Sequence, residues 1–105
     1  MRNMSATLQW LGGTDGDRRT RALLIGQWQD RRGSVYTLTP GRSEFTIAVL
    51  TARPNGKQLF TRDLVVCRDS SAFWGKVQRQ FVGVVEETQA TWRRDGTTFH
   101  WKKLQ

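Results

Sequence analysis

LIGQWQDRRGSVYTL, residues 24–38, is the stretch on which the fold turns. Apolar and polar residues alternate into Trp28, the charged run Asp30 to Arg32 interrupts them, Gly33 closes the interruption, and alternation resumes through Tyr36 and Leu38. Strand side chains point to opposite faces with a period of two. The stretch therefore predicts two half-buried strands joined by a tight loop. An echo occurs near the other end of the chain, in Trp92-Arg-Arg-Asp-Gly96-Thr-Thr-Phe99. There too a Trp-bearing strand enters a charged turn closed by Gly, and an aromatic follows three residues after that Gly. A hairpin with an aromatic cross-strand pair requires this arrangement.

The same periodicity extends outward from residue 23. Candidate strands are Leu23–Gln29, Ser34–Thr39, Glu44–Thr51, Lys57–Arg62, Leu64–Cys67, Ala72–Lys76, Gln80–Val85, Thr88–Arg93 and Thr97–Lys102. Asn55-Gly56 and Asp95-Gly96 supply the positive-φ chemistry of tight hairpins, and Pro40-Gly41 suits the centre of a type II turn. Apolar positions at i, i+3, i+4 and i+7 are not sustained over three turns anywhere, so no helix is expected. Short antiparallel strands need closure, because an open edge templates aggregation. The expected fold is all-β: a small antiparallel meander, or up-and-down β-barrel, of six to eight short strands.

Residues 1–22 read differently, with Gly12-Gly13, Asp15-Gly16 and Arg18-Arg19 but few β-branched residues. They are expected to form a flexible or peripherally docked N-terminal arm, in which only Ala6 to Leu11 suits a strand. Residues 23–105 then form a single β-barrel domain. The 105 residues suffice for one domain and are too few for a TIM barrel of roughly 250. One Cys and one His exclude an intramolecular disulfide and a zinc site of four Cys/His ligands. No apolar run is long enough to span a membrane, and no lengthy apolar segment marks a secretory signal. An intracellular location is the expectation, and the lone Cys favours a reducing compartment.

Charge is the strongest compositional signal: 17 Lys and Arg against nine Asp and Glu give a formal net charge of +8. Thirteen of the 17 are Arg, whose guanidinium forks onto phosphate and stacks on flat rings. A small domain with this excess is drawn to polyanions, nucleic acid foremost and acidic protein surfaces second. Arg31-Arg32 and Arg93-Arg94 occupy the two similar turns, and a meander places those turns at one end. Five Trp residues are the other unusual feature. Trp28, Trp92 and Trp101 alternate with the core face, whereas Trp74, next to Phe73, is a candidate outward platform for a base near Lys76 or Arg79.

Catalytic chemistry has little support. Cys67 and His100 fall on different expected strands, Cys67 as a buried small hydrophobe and His100 on the face opposite Phe99 and Trp101. Asp63, Asp69 and Asp95 each sit beside an Arg and read as loop charges. No enzyme, cofactor or metal is expected.

Residues 24–38 resemble the opening of avidin-type biotin-binding barrels, whose first hairpin reads Gly-x-Trp-x-Asn-x-x-Gly-Ser; lipocalins share the shorter Gly-x-Trp. The resemblance implies that Gly26 and Trp28 close a barrel floor, that Asp30 replaces the family's ureido-binding Asn, and that Ser34 matches its ligand-binding Ser. The family's ligand-binding Tyr in the third strand finds Val or Thr here, around Val49 to Thr51. On this implication Trp28, Asp30, Ser34, Trp92 and Trp101 form an alternative small-ligand site. A broader resemblance, carried by Gly-x-Trp-x-Asp-x-x-Gly-Ser-x-Tyr from Gly26 to Tyr36, then Thr51-Ala-Arg53-Pro54-Asn-Gly56, Thr61 and Trp74-Gly75, runs over most of Gly26–Trp101; it is to Trp-marked β modules of algal protist proteins and implies no activity.

The leading functional expectation is a non-enzymatic basic barrel that binds RNA or single strands through Arg31, Arg32, Arg93 and Arg94, with Trp74 stacking. The two alternatives are a small-ligand barrel and a structural subunit contacting acidic partners.

Overall fold

A computed structural model describes residues 15–69, 71–75 and 80–104. The alternating segments form β1 (Gly26–Gln29), β2 (Val35–Pro40), β3 (Thr46–Ala52), β4 (Gln58–Arg68), β5 (Ser71–Trp74), β6 (Phe81–Val85), β7 (Gln89–Arg94) and β8 (Thr97–Lys103). Each strand pairs antiparallel with its neighbours in chain order, and β1 also pairs with β8, which closes an up-and-down barrel. The C-terminal ends of β1, β3, β5 and β7 therefore stand at one end of the barrel, the mouth. The C-terminal ends of β2, β4 and β6 stand at the other, the floor. The two sequence echoes are the same device: Trp28 faces Tyr36 across β1 and β2, and Trp92 faces Phe99 across β7 and β8.

Three expectations are corrected. Residues Lys57–Arg62 and Leu64–Cys67 belong to one strand, β4, because Asp63 absorbs the irregularity at a φ of 51° while the pairing with β3 shifts register between Ile47 and Val49. Asp69 and Asp95 likewise take positive φ, 53° and 52°, a conformation that a short polar side chain tolerates better than most. Pro40 closes β2 and pairs with Ile47 instead of centring a tight turn. The chain then loops over residues 41–45, and the Gly41 amide donates to the Thr46 carbonyl at 2.9 Å.

The third correction is a helix, α1 (Asp15–Leu24), where an arm and the start of a strand were expected. Asp15 and Asp17 lie in its first turn and Arg21 in its last, which complements the helix dipole. Its C-terminal carbonyls, which have no partner inside a helix, find partners in the barrel. The Trp28 indole donates to the Leu24 carbonyl at 2.8 Å. Lys103 Nζ donates to the Leu23 and Ile25 carbonyls, both at 2.9 Å, with its ammonium 4.5 Å from the Trp28 ring centroid. The Arg21 guanidinium reaches the Thr46 and Ser43 carbonyls and holds α1 to the β2–β3 loop. Residues 1–14, including Trp10 and the Ala6 to Leu11 candidate, lie outside the described residues.

Among the described residues no helix is long and apolar enough to cross a membrane. Inward residues from every strand meet in one core with Leu24 of α1, and Trp28, Trp92 and Trp101 are fully buried in it. Gly83 on β6 makes room for this filling. A Cβ there would lie 2.5 Å from Cζ3 of Trp92.

Candidate functional site

The first hairpin builds one wall of the mouth, and its polar residues hold each other in place. Asp30 Oδ1 accepts from the backbone amides of Arg32 and Ser34, each at 3.0 Å, and Oδ2 accepts from the Tyr36 hydroxyl at 2.7 Å. This is the side-chain-to-backbone turn that Asp and Asn favour, and Gly33 completes it at a φ of 92°. Arg53, at the end of β3, donates from Nη1 to Ser34 Oγ at 3.2 Å. Burial, followed by the hydrogen bond to Asp30, pushes the Tyr36 phenol up to about 12. The hydroxyl therefore stays a donor. Its ring stacks on Trp101 with centroids 4.3 Å apart.

Above this layer opens a cleft of about 720 Å³. Arg31 and Arg32 line it from the β1–β2 loop, Arg53 from just after β3, Thr97 and Thr98 from the start of β8, and Trp74 and Phe99 from the aromatic cluster. Trp74 points into the barrel, half-buried, with Tyr36, Phe99 and Trp92 edge-on at 5.7, 5.7 and 5.4 Å and Trp101 tilted at 4.9 Å. A second cleft of about 510 Å³ follows the seam where β1 meets β8. Among the described residues that seam is paired at two positions, Trp28 with Lys103 and Gln29 with Lys102, and the Leu104 amide adds one bond to the Gln27 carbonyl at 2.7 Å. Asp30, Arg31 and His100 line both clefts, so they meet along the rim as one groove. Lys102 is exposed beside the seam, while burial lowers the pKa of Lys103, whose ammonium is held on the helix carbonyls.

A third cleft, beside α1, is also rich in Arg, but its guanidinium groups are engaged. Arg18 faces Asp15 and Glu44, Arg21 serves the loop carbonyls, and Arg42 pairs with Asp63 at 2.8 Å. The mouth is the better candidate for an anion because three arginines line it with, among the described residues, one carboxylate, Asp30.

Of the residues singled out in the sequence, Arg31, Arg32 and Trp74 come together at the mouth. Trp74 does so from inside the barrel, not as an outward platform; Lys76 and Arg79 lie outside the described residues. Arg93 is exposed on β7 between Val82 and Thr98, and Arg94 lies 4.3 Å over the Phe81 ring; neither lines the cleft. In the alternative set, Trp28, Trp92 and Trp101 fill the barrel, and the polar atoms of Asp30 and Ser34 serve the hairpin. Among the described residues the indole N–H groups of Trp92 and Trp101 have no hydrogen-bond acceptor; they lie among rings, whose faces are weak acceptors.

Sequence reading missed Arg53 and Phe99. Arg53 carried a signal, since it opens the Pro54-Asn55-Gly56 turn much as Arg31 and Arg32 precede Gly33. Cys67 is buried on β4, and burial pushes its thiol up to about 12. His100 is exposed on β8, within hydrogen-bond distance of Gln89 and Thr91. Among the described residues no group of three or more His, Cys, Asp or Glu gathers as metal ligands do.

Compared with family models, characterised proteins and solved structures, the chain matches none. It is an eight-stranded antiparallel β-barrel with a Trp-rich aromatic cluster, and no family or homologue is identified.

Proposed function

We propose that this protein is a non-enzymatic binding module that takes single-stranded nucleic acid along the groove running from the β1–β8 seam to the mouth. The observation that carries the proposal is the convergence of Arg31, Arg32 and Arg53 around a cleft lined by Trp74 and Phe99. Guanidinium groups bind phosphate in forked geometry, and an aromatic face accepts any base for about 1–3 kcal/mol. A single strand suits this arrangement because its bases are free to leave the strand axis and reach rings set below a rim. Lys102 extends the positive path along the seam. The small-ligand reading draws less support, because the indoles themselves occupy the barrel interior.

Fluorescence anisotropy of a labelled oligonucleotide, titrated across a salt series, tests the proposal. Four phosphate contacts, from Arg31, Arg32, Arg53 and Lys102, give a log–log slope of about −3 for a single strand. Affinity should then fall about fiftyfold between roughly 50 and 200 mM salt. Binding that ignores salt, or no binding at low salt, refutes it.

A further inference from the structure

Among the described residues Asp30 is the one acidic side chain lining the mouth and seam clefts, and both share it. The turn it makes does not require a carboxylate: Asn forms the same side-chain-to-backbone bonds without repelling a phosphate and gives up only the acceptor that the Tyr36 hydroxyl uses. A carboxylate offers about four acceptor sites. Three are filled here, two on Oδ1 by the Arg32 and Ser34 amides and one on Oδ2 by the Tyr36 hydroxyl. One acceptor site on Oδ2 is left. The Tyr36 hydroxyl that donates to Asp30 belongs to a ring that meets Trp74 edge-on at 5.7 Å, and Asp30, Tyr36 and Trp74 line the same cleft, so a base laid against Trp74 shares that cleft with the carboxylate.

We infer that Asp30 is a specificity-determining residue that selects bases carrying an exocyclic amino group, cytosine among the pyrimidines, over uracil. The inference rests on the nucleic-acid reading of the mouth. An amino group donates one hydrogen bond to the open Oδ2 site while the base stacks and its phosphate meets the rim. Uracil offers only an imino N–H flanked by two carbonyl oxygens, which a carboxylate meets with repulsion. A charge-assisted hydrogen bond in a partly dry site discriminates by about tenfold.

The experiment compares labelled oligocytidine and oligouridine of equal length on the full chain at low salt. Oligocytidine should bind about tenfold tighter, a ratio set by one charged hydrogen bond. Asp30→Asn, which keeps the turn, should bind the two alike. An oligomer of N4,N4-dimethylcytidine probes the same contact on the unaltered protein and should bind as oligouridine does. Equal affinity of the unaltered protein for cytosine and uracil oligomers overturns this inference while leaving the mouth as a nucleic-acid site. Failure of every oligomer to bind overturns that underlying reading instead.

Discussion

Gly83→Ala is the substitution for which the barrel gives the clearest number. Replacing glycine within a strand ordinarily stabilises, by about 0.5–1 kcal/mol. Here the added Cβ would lie 2.5, 2.7 and 3.0 Å from Cζ3, Cε3 and Cη2 of Trp92. Carbon atoms rest at about 3.5–4.0 Å, so the indole or β6 must retreat by about 1 Å. Trp92 has no exposed surface, and Trp101 and Trp74 stand 4.9 and 5.4 Å away, so the displacement passes into the rings that line the mouth. Overpacking of this kind costs about 1–3 kcal/mol. Set against the strand gain, the net loss is about 1–2 kcal/mol, or roughly 5–15 °C in Tm for a domain of this size. Thermal melts followed by circular dichroism measure it, and the near-ultraviolet Trp signal should change with it. Gly96→Ala is the control, since nothing lies within 4 Å of a Cβ there, and its Tm should hold or rise slightly. A Gly83→Ala protein melting at or above the unaltered one would refute the packing described for β6 and Trp92.

Lys103→Met removes the ammonium from the Leu23 and Ile25 carbonyls and from the Trp28 face; we expect a loss of about 1.5–3 kcal/mol, with hydrogen exchange fastest in α1. Asp63 is held down at about 2, first by the Arg42 backbone amide and then by its guanidinium. The stability it confers is complete above the ordinary value of 3.8 and vanishes as pH falls through about 2. Asp63→Asn should therefore flatten the acid limb of a denaturation profile in that window. Tyr36 behaves oppositely: its phenol ionises near 10.0 in the unfolded chain and about 12 when folded, so stability falls as pH rises between those values. Tyr36→Phe should abolish that alkaline slope. As the chain has one Tyr, phenolate absorbance should report a midpoint about two units high; a midpoint near 10.0 would contradict the buried Asp30 contact.

The barrel was legible because its information is local. Alternation placed Trp28, Trp92 and Trp101 on the core face, and the two Trp-turn-aromatic stretches are cross-strand pairs across the first and last hairpins. Helix α1 was not legible because it is ten residues long and contributes Leu24 as its buried apolar anchor. Its partners, Lys103 and Trp28, come from distant strands. In retrospect the acidic first turn and basic last turn were its signal. Asp63 misled for a related reason, since a positive-φ Asp usually ends a strand and here kinks one. At the mouth, Arg31 and Arg32 could be read from their turn, whereas Arg53 joins them only because β2 pairs with β3, Val35 opposite Ala52, which sets the β1–β2 and β3–β4 hairpins side by side. Trp74 could not be assigned a face from the sequence, because adjacent Phe73 and Trp74 give alternation no preference.

The most direct measurement is the salt dependence of oligonucleotide affinity in two variants that each lose three positive charges. One carries Arg31→Gln, Arg32→Gln and Arg53→Gln at the mouth. The other carries Arg18→Gln, Arg19→Gln and Arg68→Gln at the floor end. Removing three phosphate contacts should shrink the slope by about 2 in the mouth variant, while the floor variant keeps the slope of the unaltered protein. Equal loss in both variants would mean that diffuse charge, and not the groove at the mouth, holds the strand.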